Sequence, residues 1–132
     1  MRIDRALLDE IVAHAVRDAP DECCGVVAVR DGAATAVHAT ENVAASSFRF
    51  EVDGPALFAL LESIESQGGE LGAIYHSHTR SDAYPSQTDV NFSAGWPGVE
   101  WIIVGVAGQG EPEVHSYLID DGQISEVELE LT

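Results

Sequence analysis

Apolar residues open the chain at helical spacing: Ile3, Leu7, Leu8, Ile11, Val12, Ala15 and Val16 recur every three or four positions. That period gathers them on one side of a helix, with Asp4 as its cap and Pro20 as its stop. The pattern then changes. Residues 25–30 (GVVAVR) form a short apolar run typical of a buried strand, and Asp31-Gly32 is a hairpin turn into a second strand over 34–40. A third short strand is expected over 48–52, beginning at Phe48. Asp53-Gly54-Pro55 opens a second helix, whose Leu57, Leu60, Leu61 and Ile64 make one stripe, and Gly68-Gly69 closes it. Residues 71–78 read as a strand running into a loop, and Tyr84-Pro85-Ser86 starts a short helix. Strands over 99–106, 113–119 and 124–131 follow, the last two joined through Asp120-Asp121-Gly122.

Two longer helices on a mixed, largely antiparallel sheet make an α+β fold. The 132 residues fit a single domain spanning 1–132, since two cores of half that size would each be marginal. No apolar stretch approaches the roughly 20 residues that cross a bilayer, and Met1-Arg2-Ile3-Asp4-Arg5 lacks a signal-peptide core, so a soluble cytoplasmic domain is expected.

Charge alters the choice of partners. Asp and Glu number 23 against 6 cations, a formal charge of −17, and every cation is an arginine. Phosphate binding needs clustered cations, and an anionic bilayer repels such a surface, so neither nucleic acid nor membrane is a partner. Mutual repulsion of the carboxylates weakens the compact state at low salt and is screened at about 1 M, which fits a high-salt cytosol or simply an acidic bacterial protein. The absence of lysine fits the same compositional bias; it also leaves the chain without a side chain that can carry an isopeptide-linked modifier. Cys23 and Cys24 are adjacent, a geometry that excludes an ordinary disulfide, and no CxxC is present. They read as small buried strand residues in a reducing compartment.

The chemically informative segment is 74–90, IYHSHTRSDAYPSQTDV. Side chains alternate along a strand, so His76 and His78 point the same way, an arrangement that suits a metal and equally two satisfied core histidines. Ser86-Gln87-Thr88-Asp89 is a capping box at a helix start, and the same frame would present Ser86 and Asp89 rigidly toward the end of the neighbouring strand. Two neutral imidazoles and a carboxylate suit Zn²⁺ and leave a fourth position for water. The His-x-Glu and Pro-Cys-x-x-Cys signature of zinc nucleobase deaminases is absent.

His76-x-His78, followed after seven residues by Ser86-x-x-Asp89 with Pro85 before the serine, resembles the signature of the JAMM/MPN+ (JAB-domain) metalloproteases. Pro20-Asp21-Glu22-Cys23-Cys24-Gly25 is similar to that family's segment between first helix and first strand, and the order of elements agrees along the whole chain. Thr79 stands where many members carry proline. The stretch looks closest to small prokaryotic members of the archaeal desampylase or sulfur-carrier-processing type. The resemblance implies one zinc ion per chain held by His76, His78 and Asp89, Glu22 as the general base and later acid, and Ser86 as a donor to the developing oxyanion. It further implies an isopeptidase that frees a ubiquitin-like modifier from a substrate lysine. The alternatives are a peptidase that trims the end of a sulfur-carrier protein in sulfur or cysteine metabolism, and a non-catalytic scaffold of the same fold. Outside the motif, His14 and His38 are expected to face solvent and His115 to lie in a strand. Arg80, Ser81, Asp82 and Tyr84 read as a linking or substrate-touching loop, and Trp96 and Trp101 as core or interface.

Overall fold

The computed structural model describes residues 1–47, 49–108 and 110–132. Its elements run β1 (Arg2–Ile3), α1 (Arg5–Asp18), β2 (Cys24–Arg30), β3 (Ala33–Thr40), α2 (Gly54–Ser66), β4 (Glu70–His78), α3 (Gln87–Ser93), β5 (Glu100–Gly105), β6 (Glu113–Asp120), β7 (Gln123–Val127) and β8 (Glu130–Leu131). All eight strands join one sheet in the order β7-β6-β5-β4-β2-β3-β1-β8. The long pairings β2–β3, β2–β4, β5–β6 and β6–β7 are antiparallel, while β4–β5 is parallel and α3 lies in its crossover. The expected α+β class, with a mixed sheet and helices against it, is the fold observed.

Strand alternation divides the core between the two sheet faces. Val27, Val29, Ala73, Tyr75, Ile102 and Val104 pack with Ile11 and Ala15 of α1 on one side. Val26, Ala28, Ile74, Trp101, Ile103 and Tyr117 pack with Ile64 of α2 on the other. His76 and His78 continue the parity of Ile74, and so emerge on the α2 side of the sheet. Asp4 caps α1 by accepting from the Leu7 N–H at 2.9 Å. Asp53 caps α2 through the Ala56 N–H at 3.1 Å, with proline in its first turn as expected. Both Asp-Gly hairpins adopt left-handed backbone, Asp31 at φ 53° with Gly32 at 78° and Asp121 at 50° with Gly122 at 77°, the twist a two-residue β-turn requires.

Four expectations need correction. Ile3 does not begin the first helix; it forms β1, whose pairing with β8 buries it against the underside of α1. Of the strand expected over 48–52, residues 49–52 follow an irregular path instead, and Phe48 lies outside the described residues. The strand expected over 124–131 is two strands, β7 and β8, at opposite edges of the sheet. His14 is buried rather than solvent-facing, because it shares the helical face of Ile11 and Ala15. Its Nε2–H donates to Asp18 at 3.0 Å and its Nδ1 accepts from the Tyr75 hydroxyl at 2.7 Å. Tyr75 reaches across β2 only because residue 25 is glycine; a Cβ there would collide with the ring. His38 is half-buried on β3, and His115 sits on β6 as expected, against Glu126 at 3.1 Å. Cys23 and Cys24 are free and fully buried. Trp101 is core, and Trp96 is half-buried at its margin. No helix among the described residues is long and apolar enough to cross a membrane.

Candidate metal centre and catalytic cleft

The carboxyl end of β4 meets the amino end of α3, and this junction brings three sequence-predicted residues together. His76 Nε2, His78 Nε2 and Asp89 Oδ2 lie 3.1 Å from one another, all three side chains buried. Donor atoms about 2.0–2.1 Å from one tetrahedral ion stand roughly 3.3 Å apart, so the triangle fits a small divalent cation. The capping box is fully formed as well: the Asp89 N–H donates to Ser86 Oγ at 3.1 Å and the Ser86 N–H to Asp89 Oδ2 at 2.9 Å. One carboxylate oxygen therefore serves both the helix start and the cluster. The capping and ligating readings of Asp89 are not alternatives.

The chemistry of the donors agrees with the spacing. His78 Nδ1–H donates to the Asp82 carbonyl at 2.8 Å, which leaves the neutral ring's lone pair at Nε2 aimed at Asp89. Two lone-pair atoms at that distance repel unless a proton or cation lies between them. Burial alone would lower His78, but the Asp89 and Asp82 oxygens outweigh it and raise its pKa. Burial keeps His76 low, and hence neutral, against the pull of Asp89. Burial would raise Asp89, yet the two adjoining imidazoles and the Ser86 N–H hold its carboxyl well below the usual range. His76 Nδ1 has no hydrogen-bond partner; packing orients the ring instead, stacked on Phe50 with centroids 4.6 Å apart and edge-on to Trp101.

Glu22 faces the same cleft as His78, Ser86 and Asp89, with Arg49, Phe50 and Phe92 in the walls. Only 6% of it is exposed, and burial is the main cause that pushes its carboxyl up to about 7, with Asp89 adding and His78 opposing. Its backbone is tightly held. The Glu22 N–H donates to the Ser46 carbonyl at 2.8 Å, and Asn42 Nδ2 donates to the Glu22 carbonyl at 2.9 Å. Ser77, between the two histidines but on the opposite face, accepts from the Cys23 N–H at 2.8 Å. Thr79 donates to the Pro20 carbonyl at 2.8 Å, a tie that proline at this position could not make. Asn42, Ser77 and Phe50 escaped sequence reasoning, because nothing local marks a residue whose partners lie 20 to 54 positions away. In the loop between the histidines and α3, Ser81 lines the cleft, Asp82 lends its carbonyl to His78, and Tyr84 packs against Tyr117.

A family model described as prokaryotic homologs of the JAB domain matches residues 4–120. The chain belongs to that family. Among JAB-domain relatives, a desampylase of Haloferax volcanii is 40% identical over 108 residues, covering 76% of this chain and 77% of that protein. A CysO-cysteine peptidase of Mycobacterium tuberculosis is 34% identical over 122 residues, covering 91% and 83% respectively. The solution structure of protein DSY2949 from Desulfitobacterium hafniense superposes with a TM-score of 0.87 at 26% identity, covering 99% of this chain and 92% of the other. Family and fold are those implied by the motif, and the hydrolase reading agrees with the peptidase and desampylase names of these JAB-domain relatives.

Proposed function

We propose that this chain is a zinc-dependent cytoplasmic peptidase that cuts the amide joining the carboxy-terminal tail of a ubiquitin-like protein to a substrate lysine. What carries the reading is the triangle of His76, His78 and Asp89 atoms, mutually 3.1 Å apart, at the floor of a cleft that also holds a buried Glu22. A zinc ion held there supplies Lewis-acid activation of water and of the scissile carbonyl. Glu22 takes a proton from the attacking water and delivers it to the departing nitrogen; a carboxyl near 7 suits both transfers. Ser86 Oγ already accepts from the Asp89 N–H, so its own proton is available to the carbonyl oxygen as that oxygen gains charge. A second reading, removal of a residue from the end of a sulfur-carrier protein, is supported by the mycobacterial relative's name. It uses the same chemistry.

Metal analysis of protein purified in zinc-containing buffer tests the proposal, alongside cleavage of a lysine-linked conjugate and of a tail-extended carrier. One zinc per chain, lost in a His76→Ala, His78→Ala double variant together with all cleavage, is the expected result. Absence of zinc uptake, or cleavage that survives Glu22→Ala and chelation, would overturn it; a scaffold would bind its partner equally well with Glu22 replaced.

A further inference from the structure

The cleft contains a cation that the reaction scheme leaves unused. Arg49 stands in the wall beside Phe50, in a cleft whose ionisable groups are otherwise Glu22, His78 and Asp89. With 6 arginines against 23 carboxylates in the whole chain, a guanidinium at this spot runs counter to the molecule's charge.

Its placement is built by Asn42. That side chain donates through Nδ2 to the Glu22 carbonyl at 2.9 Å and to the Arg49 carbonyl at 3.1 Å. Its Oδ1 accepts from the Ala44 N–H at 3.0 Å and the Glu51 N–H at 2.9 Å. The carboxamide's full hydrogen-bonding capacity is engaged. A single amide group thus bridges the backbones of Glu22 and Arg49, and the two cannot drift apart without breaking it. The Arg49 side chain is 60% exposed, and its ion pair to Glu51 is a loose 3.7 Å. A guanidinium has five donors in a planar fork, which leaves it free to grip a second carboxylate side-on.

In the proposed reaction Glu22 delivers its proton to the departing nitrogen, so the leaving residue lies on the Glu22 side of the scissile bond. That is the side where Asn42 fixes Arg49. Resting on the Glu22 chemistry and on the second, carrier-trimming reading, we infer that Arg49 is a specificity residue that binds the α-carboxylate of a leaving amino acid released from the end of a carrier protein. In such a substrate the carboxyl carbon is two bonds from the departing nitrogen. In a lysine conjugate that nitrogen ends a four-methylene chain, and no negative charge stands near it. Glu22, Asp89 and Glu51 would repel an incoming carboxylate, and Arg49 offsets that repulsion for the first substrate only.

The probes are CysO extended at its carboxyl end by one cysteine, prepared as the free acid and as the carboxamide. In the zinc-loaded parent, kcat/KM is expected to favour the acid by about tenfold; in Arg49→Gln the ratio falls to about one, and Arg49→Lys keeps part of it. Binding of the same two probes to Glu22→Gln protein, read by fluorescence anisotropy, is expected to show the same preference and the same loss on adding Arg49→Gln. A preference that persists without Arg49 would belong to the metal and would overturn the inference, as would a parent that treats acid and amide alike. If nothing is cleaved but the binding preference depends on Arg49, the hydrolase reading fails while the carboxylate site stands.

Discussion

His78 and Asp89 reach the cluster with their remaining polar bonds already committed: the His78 Nδ1–H, opposite the Nε2 in the cluster, donates to the Asp82 carbonyl, and Asp89 Oδ2 accepts from the Ser86 N–H. Preset tautomer and rotamer mean that little reorganises when a cation arrives. Glu22 and Ser86 are placed to act on substrate rather than to hold metal, and that separation can be measured. Glu22→Gln should retain zinc yet lose roughly 10²–10⁴ in turnover, the usual worth of a positioned acid-base group. Ser86→Ala should keep most of the zinc and lose about 10²–10³ in kcat. Its lost helix cap should lower stability by about 1 kcal/mol, readable in denaturant unfolding. His14 governs a different property. Burial, opposed by Asp18, holds its folded pKa below the ordinary 6.5, so between those values the unfolded chain binds a proton that the folded chain does not. Stability is therefore lost as pH falls from about 6.5 through that lower value. Thermal unfolding at pH 7.5 and 5.5 should show a smaller acid-induced drop in His14→Gln than in the parent.

At the scale of elements, the cleft is a meeting of three chain segments, and their ties are mostly side chain to backbone. Asn42 joins the segment after β3 to the one before β2, and Ser77 and Thr79 pin the Glu22 segment to β4. Removing four hydrogen bonds of roughly 0.5–1.5 kcal/mol each, Asn42→Ala should cost about 2–6 kcal/mol of stability and lower kcat while zinc content stays at the parent level. Asn42→Asp should fall further, because it sets a carboxylate against the Glu22 and Arg49 carbonyl oxygens. Periodicity and caps predicted α1, α2, α3 and the interior strands, since Asp4, Asp53 and Ser86 act on neighbours three residues away. Periodicity failed where pairing decides structure. Two-residue β1 and β8 have no period to detect; β1 forms by pairing between β3 and β8, and β8 by pairing with β1 at the sheet edge.

Across the whole molecule, a charge of −17 makes the surface repel itself and opposes the burial that holds the core together. Raising salt from about 0.1 M to 1 M shortens the screening length from roughly 10 Å to 3 Å, so the unfolding midpoint should rise markedly over that range. An unchanged midpoint would show that the acidic surface does not oppose folding. The amino-acid sequence by itself determined the spacing of His76, His78, Ser86 and Asp89, because strand alternation and a capping box are local rules that act over two or three residues. It also determined which apolar helical faces turn inward, since the 3.6-residue period needs no distant partner, whereas the burial of His14, expected at the surface, rests on its bond to Tyr75 across the fold. Only the tertiary structure decided that Glu22 joins those residues, that Asn42 ties it to Arg49, and that the end of the chain divides between two sheet edges. Those outcomes depend on pairings between segments far apart in the chain, whose free energy comes from excluding water across the assembled sheet and is written in no single stretch of residues.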